Sequence, residues 1–289
     1  MTELCTGISG PDDLRRLHRE YASRYPFLLQ STTLGSDLGR FDILFAFPGE
    51  SLHLDADGLL HGPHVDLSNG FLSALDAWWA REQVPGVADE LPFHGGWFVY
   101  LGYELAAQIE PALKLEADAI LPTAFAVRCQ SALIFDHSRG QCFLVCEDEA
   151  CADAEQLRRD FESVRHAGDG DTVRLTDVTE EPAQIFLDAV LAAKEHISAG
   201  DIYQANLSRQ WTVDLGEDAS ASDIYASLCR SNPGPFAGIA RWQDIEVMSS
   251  SPERLLMLRD GIASTRPIAG TRPRSDDDRT DSSLSAELL

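Results

Sequence analysis

The stretch SSSPERLL places Glu253 directly after Pro252, where the strand-like run IEVMSS must turn. A carboxyl held at a strand end and partly buried has its pKa raised and can protonate a leaving hydroxyl. A carboxyl left in solvent there is a turn glutamate paired with Arg254. Downstream, STRPIAGTRPR sets a small-residue core, Ile268-Ala269-Gly270-Thr271, among Arg266, Arg272 and Arg274. Gly270 has no Cβ, so a ligand can approach its backbone closely. Its amide, with the Thr271 amide and hydroxyl, can form a small nest for a carboxylate or oxyanion. Arg272 and Arg274 would add charge. The same residues, bracketed by Pro267 and Pro273, also suit a tight turn with no ligand. In GDIYQANLSR, Gln204 and Asn206 share one face of a predicted strand. An amide pair on an inward face orients a polar substrate or a neutral nucleophile; on an outward face it meets only solvent.

Composition decides which partners suit such groups. Lys plus Arg number 23 and Asp plus Glu 47, for a formal net charge of −24. That repels nucleic acid and anionic membrane. A small anionic substrate then needs a local cluster of donors, and STRPIAGTRPR is the best one in the chain. No G-x-S-x-G and no phosphate-binding loop is present. His61 and His64, in HGPH, read as loop residues. The six cysteines lack zinc-type spacing and are expected to be reduced thiols. No run approaches the roughly 18 apolar residues of a membrane span. The start, MTELCTGISGPDDL, has neither a basic opening nor an apolar core. A cytoplasmic protein is expected.

These residues need elements to position them. GPDDLRRLHREYASRY reads as a helix, PFLLQS and RFDILFAFPG as strands, and DLSNGFLSALDAWWAREQ as a helix. FHGGWFVYLGYELA is a buried, glycine-interrupted strand or strand pair. FAVRCQSALIFDHSRGQCFLVCE reads as one hairpin turning at Gly140, and residues 150–165 as a helix. HAGDGDTVRLTDVTEEP reads as a linker. In PAQIFLDAVLAAKEHISAG, Ile185, Ala189, Ala193 and Ile197 form one stripe ahead of a Gly200 stop. DIYQANLSRQWTVDL reads as a strand and SASDIYASLCRSN as a helix. FAGIARW, IEVMSSS, ERLLMLRDG and IASTRPI are short strands. RSDDDRTDSSLSAELL leads from an acidic loop into a helix that stops within two turns. Strands with interspersed helices, lacking βαβ alternation, predict an α+β fold of two packed antiparallel sheets with peripheral helices. The expected divisions are residues 1–165, a linker at 166–182, and 183–289.

Taken in order, AGDIYQANLSR, NPGPF, SSSPERLL and PIAGTRPR resemble component I of the chorismate-utilising enzymes, aminodeoxychorismate synthase and anthranilate synthase. PFLLQS, RFDILFAFP, LPFHGGWFVYLGYEL and SALIFDH look like the N-terminal part of aminodeoxychorismate synthase component I. The resemblance covers nearly the whole chain. It implies a sandwich of two antiparallel sheets, incomplete at the C-terminus, because family members continue into a K-E-x-x-E-H segment absent before Leu289. It implies amination of chorismate to 4-amino-4-deoxychorismate, on the folate and 4-aminobenzoate route, with ammonia from a glutamine amidotransferase subunit. Anthranilate synthase component I is the alternative, and an inactive fragment serving as a docking surface is another. By motif, Glu253 matches the proton-transfer glutamate, and Gly270 and Thr271 match chorismate-binding positions. Gln204 stands where water-using relatives carry a lysine, which implies ammonia as nucleophile. Ala269 replaces the lysine of many aminodeoxychorismate synthases and matches the P-I-A-G-T of anthranilate synthases. Ser31, Pro235 and Phe236 match the lining of a tryptophan-shaped pocket, with Gln30 in place of the usual glutamate. Mg²⁺ is the implied cofactor, its ligands lying past Leu289 and none within this chain. The chain alone is expected to be inactive.

Overall fold

The structure is a computed structural model of the 289-residue chain. It describes all residues except 1, 6, 7, 9, 34–38, 64–69, 84–88, 119, 148–153, 165–172, 174, 217, 218, 260, 268, 269, 271, 288 and 289. The chain forms two compact units, Met1–Asp169 with Leu228–Leu289, and Gly170–Ser227.

In chain order the elements begin with β1 (Thr2–Leu4), α1 (Pro11–Glu20), β2 (Phe27–Gln30), β3 (Phe41–Ala46), β4 (Ser51–Leu54) and β5 (Leu60–His61). Next come α2 (Gly70–Glu82), β6 (Gly96–Leu101), a 3₁₀ turn (Tyr103–Leu105), α3 (Ala106–Ile109), β7 (Ala124–Cys129), β8 (Ser131–Asp136) and β9 (Gln141–Cys146). Then follow α4 (Ala154–Val164), β10 (Leu175–Glu180), α5 (Ala183–Ala199), β11 (Trp211–Leu215), α6 (Ala221–Ser231) and β12 (Phe236–Trp242). The last are β13 (Ile245–Ser251), β14 (Arg254–Arg259), β15 (Ile262–Arg266) and α7 (Asp278–Ala286).

The first unit holds a seven-stranded sheet in the order β1-β9-β8-β3-β2-β12-β13 and a four-stranded sheet, β5-β4-β7-β6. Every pairing within them is antiparallel, as the strand pattern predicted. Aromatic residues join the two sheets: Phe27 of β2 stacks on Phe98 of β6 at 4.1 Å. Phe45 packs with Phe125, Val127 and Cys129 of β7 in the same core. Burial pushes the Cys129 thiol up to about 12, as an apolar interior does to any thiol.

A charged link also crosses between the sheets. Arg128 of β7, only 8% exposed, binds Glu147 just past β9 at 2.5 Å, Glu82 at the end of α2 at 3.1 Å, and the Gly96 carbonyl at 2.9 Å. Its guanidinium lies 4.5 Å from the centre of the Trp97 ring. On the outer side, α1 begins with Pro11 and two acids, which suit a helix start. It buries Leu14, Leu17 and His18. Asp160 of α4 receives both arms of Arg24 at 2.7 Å, the Tyr25 hydroxyl at 2.8 Å and the Gln156 amide at 2.8 Å.

Several local expectations change. The first arm of the expected hairpin, FAVRCQSALIF, is not one strand: β7 joins the four-stranded sheet and β8 the seven-stranded one, the chain crossing at Gln130. Both strands are buried along their whole length, so no alternation marked the crossing. The hairpin at Gly140, whose φ is 61°, joins β8 to β9. His61 lies in β5 and stacks on His53 at 4.8 Å, while His64 lies outside the described residues. Cys146 is disulfide-bonded, against the expectation of reduced thiols.

In the second unit, β10 pairs antiparallel with β11. Leu175–Glu180 therefore form a strand inside the stretch read as a linker. α5 ends at Gly200, left-handed at φ 83°, as its spacing predicted. The strand expected from Asp201 begins only at Trp211; residues 201–210 are irregular. Alternation there would gather Tyr203, Ala205 and Leu207 on one face, but Tyr203 is 83% exposed and no layer covers that face. No helix among the described residues is long and apolar enough to cross a membrane.

Candidate active site and adjoining cavity

β14 and β15 form a two-stranded antiparallel sheet with Arg254 opposite Arg266 and Arg259 opposite Ile262. Its tight connection uses Gly261 at φ 74°, a conformation that suits a residue without a Cβ. This register brings Glu253, just before β14, and Pro267, just after β15, to the same end of the hairpin. Ser251 shapes the approach: its Oγ accepts from the Glu253 amide at 3.2 Å and donates to the Glu253 carbonyl at 3.2 Å. The Glu253 side chain is exposed, so the partial burial expected of a general acid is not found. The hairpin explains this, because Leu255, Leu256, Leu258 and Ile262 are themselves 84%, 59%, 69% and 70% exposed.

Gly270 is exposed, open to a ligand at its backbone. Ala269 and Thr271 lie outside the described residues. The two arginines expected to charge this turn are engaged elsewhere. Arg272 Nε donates to Glu287 at 3.0 Å, and Arg274 Nε donates to Asp281 at 2.9 Å. Both acids belong to α7 or its end. That helix is capped by Asp277, whose carboxylate accepts from the Thr280 amide at 2.8 Å. The Ser275 amide and Arg274 together hold the Asp281 carboxyl below its ordinary range.

Gln204 lies in the second unit, in irregular chain. Its Nε2 donates to Asn206 Oδ1 at 3.4 Å, and both side chains are exposed. The amide pair therefore exists without the predicted strand.

The structure does join the stretches LLQS and NPGPF. Thr32 and Gly234, 202 residues apart, exchange bonds: the Thr32 amide donates to the Gly234 carbonyl at 3.0 Å, and the Gly234 amide to Thr32 Oγ1 at 2.8 Å. Beside them a cavity of about 440 Å³ is lined by Gln30, Arg40, Pro235, Phe236, Arg254 and Arg259, among others. Pro235 and Phe236, matched by motif to a tryptophan-shaped pocket, are among its lining. Ser31 does not; it is buried, its amide donates to Asp42 at 2.9 Å, and its hydroxyl has no partner among the described residues.

Asp42, fully buried, organises the wall behind the cavity. It accepts from Gln30 at 2.9 Å and lies 3.0 Å from His137 Nε2. The close contact with Asp42 raises the His137 pKa above its ordinary value, against the opposing effect of burial. Sequence reasoning missed Arg40, Arg254 and Arg259 as cavity residues. Arg40 reaches Glu90 at 2.6 Å and Asp136 at 3.0 Å, while Arg254 Nε is buried with no partner among the described residues. The one visible signal was Asp42, an acid inside the apolar run RFDILFAF.

Among the described residues no three His, Cys, Asp or Glu side chains gather as a divalent cation would need. These residues do not fit Mg²⁺.

Residues 48–289 match the family model described as chorismate binding enzyme. The chain belongs to that family. Its relatives include an anthranilate synthase component I-like protein of Synechocystis sp., 35% identical over 70% of this chain and 42% of the relative. Anthranilate synthase component 1 of Thermus thermophilus is 31% identical over 91% of this chain and 58% of its own length. The counterpart from Cereibacter sphaeroides is 28% identical over 91% and 57%. The crystal structure of anthranilate synthase component I from Streptococcus pneumoniae shares the fold, with a TM-score of 0.65 and 24% identity over 89% of this chain and 58% of that one. The chain spans about half the length of the curated relatives it matches.

Proposed function

We propose that the protein aminates chorismate, as component I of an aminodeoxychorismate synthase supplied with ammonia by a glutamine amidotransferase subunit. One observation supports the reading: the β14–β15 register sets Glu253 and Pro267 at one end of a single hairpin. On this reading the proton donor before β14 and the anion site that follows Pro267 belong to one short element. Glu253 protonates the departing hydroxyl, and the Gly270 and Thr271 donors hold a substrate carboxylate. Gln204 orients ammonia. Ala269 supplies no nucleophile, so the amine reaches the ring without a covalent lysine adduct.

The product divides the two readings. Gln204-Ala205-Asn206 and the stretch around Asp42 support aminodeoxychorismate. The Ala269 of P-I-A-G-T and the anthranilate synthase relatives support anthranilate. Anthranilate formation expels the enolpyruvyl group as pyruvate; aminodeoxychorismate keeps it. Full-length protein given chorismate, ammonia and Mg²⁺ should yield 4-amino-4-deoxychorismate by mass spectrometry with no pyruvate. Stoichiometric pyruvate would move the assignment to anthranilate synthase. An untouched chorismate pool would remove the amination reading altogether.

A further inference from the structure

Cys5 and Cys142 face each other at the edge of the seven-stranded sheet. β1 is the outermost strand there and pairs with β9 through Thr2↔Val145, Glu3↔Leu144 and Leu4↔Phe143. One more step along the ladder sets Cys5 opposite Cys142, and the Cys5 amide donates to the Cys142 carbonyl at 2.9 Å. Directly opposed residues of an antiparallel pair send their side chains to the same face. The Cα atoms of a hydrogen-bonded pair stand about 5.5 Å apart, inside the roughly 4.4–6.8 Å that a disulfide spans. Both thiols are free, and they share a hydrogen bond.

The two sulfurs differ in access. Cys142 is 1% exposed, whereas Cys5, just past the end of β1, is partly open to solvent. The bond from the Cys142 thiol holds the Cys5 pKa below its ordinary value, against burial and the nearby Glu3. The same bond, with burial, pushes the Cys142 thiol up. Thiolate character and access therefore coincide on Cys5, the combination that makes a thiol react first. Cys129 has neither property: it is buried between the sheets and its thiol is pushed up to about 12.

β1 gives the pair something to control. The strand is three residues long, and as an edge strand it has one sheet neighbour. Its Glu3 also meets Arg158 of α4 at 2.6 Å, a surface ion pair. So short an edge opens locally at little cost. A covalent bond at Cys5 would fix it to β9, whose other neighbour is the fully buried β8.

We propose that Cys5 and Cys142 form a redox-responsive disulfide that locks β1 onto β9, Cys5 reacting first and Cys142 resolving. The oxidant is the disulfide of a small thiol. The Cys5 thiolate attacks one of its sulfurs, forming a mixed disulfide and releasing one thiolate. Cys142 then gives its proton to solvent and attacks the Cys5 sulfur, forming the protein disulfide and releasing the second thiolate. Two protein thiols are oxidised and one small disulfide is reduced to two thiols. An excess of reducing thiol runs the same steps backward. Neither cysteine takes part in the amination reading, so the two stand or fall separately.

The test incubates the 289-residue chain with oxidised glutathione and maps its peptides by mass spectrometry without reduction. A peptide pair linked through Cys5 and Cys142 should appear and should vanish with dithiothreitol. Hydrogen exchange at the Glu3 and Cys5 amides should slow by about ten-fold or more once the link has formed. Cys142→Ser should stop at the mixed disulfide, with one glutathione retained on Cys5. Lasting glutathione on Cys5 in the unaltered chain, a link from Cys5 to another cysteine, or no reaction at either thiol overturns the proposal. So does exchange in β1 that is unchanged after the link forms. Because the linked peptides are read on the unaltered chain, a poorly folded Cys142→Ser protein would not rescue the idea.

Discussion

The sandwich and the β14–β15 hairpin belong to the same unit and are built from similar residues, yet they stand in opposite conditions. β8 reads SALIFD and is buried at every position; β14 reads RLLMLR and is exposed at all but its first. Buried charges in the sandwich are met: Arg128 by Glu147 and Glu82, Asp160 by Arg24, Tyr25 and Gln156. The hairpin that carries Glu253 has its strand pairing and little else. Apolar composition alone does not make a core; a facing layer does. The part of the molecule that holds the fold and the part that bears the family motif therefore draw on separate sources of stability.

The largest expected contrast is in amide exchange. Amides of β3, β8 and β9 should open only with global unfolding, whereas those of β14 and β15 should open locally, a difference of about 10³-fold or more in protection. Comparable protection in hydrogen–deuterium exchange would abolish the distinction. Next comes mutation. Arg128→Ala leaves Glu147 buried and unpaired and should cost about 3–5 kcal/mol, whereas Leu258→Ala, at a 69% exposed position, should cost within about 0.5 kcal/mol. Urea melts of the two variants measure this directly, and equal costs would place the hairpin in the core.

A smaller effect concerns Asp160. Burial opposes its charge, but Arg24, Gln156 and Tyr25 outweigh burial and hold its carboxyl below the ordinary value. A carboxyl depressed in the folded state contributes stability above its unfolded pKa, about 3.9, and loses it as pH falls through the folded value. Asp160→Asn should lower stability by about 1–3 kcal/mol at neutral pH, with the gap closing below about pH 3. A gap that stays constant down the acid limb would show that the charge contributes nothing.

The same contrast explains what the residues disclosed. The sandwich was legible because its strands are short, apolar and bounded by turn residues, and because α1 carries its own start signal; in the second unit α5 carried its own stop at Gly200. The crossing at Gln130 was hidden, since two fully buried strands show no alternation to tell which sheet each joins. The strand around Gln204 was over-read: its alternation sets Tyr203, Ala205 and Leu207 on one face, but such a face forms a strand only where a neighbour covers it. Glu253 and Gly270 could be singled out from local turn chemistry, but the exposure of Glu253 could not, because it depends on what other elements cover the hairpin. The pairing of Arg272 and Arg274 with α7 was not, because ion pairs depend on where a helix lands. Arg40, Arg254 and Arg259 meet only through the placement of separate elements, which no local spacing records.

The bonds between Thr32 and Gly234 also set an order of events during synthesis. β2 is made early and can pair with β3 at once, but its other edge waits for β12, 202 residues downstream by the Thr32–Gly234 separation. At about 5–20 residues per second of translation, that edge stays open for about 10–40 seconds. During that interval Phe27-Leu28-Leu29 presents unpaired backbone on a growing chain, the condition in which strands recruit wrong partners. The nascent protein is therefore most in need of a chaperone between the emergence of β3 and that of β12, well before its last residues leave the ribosome.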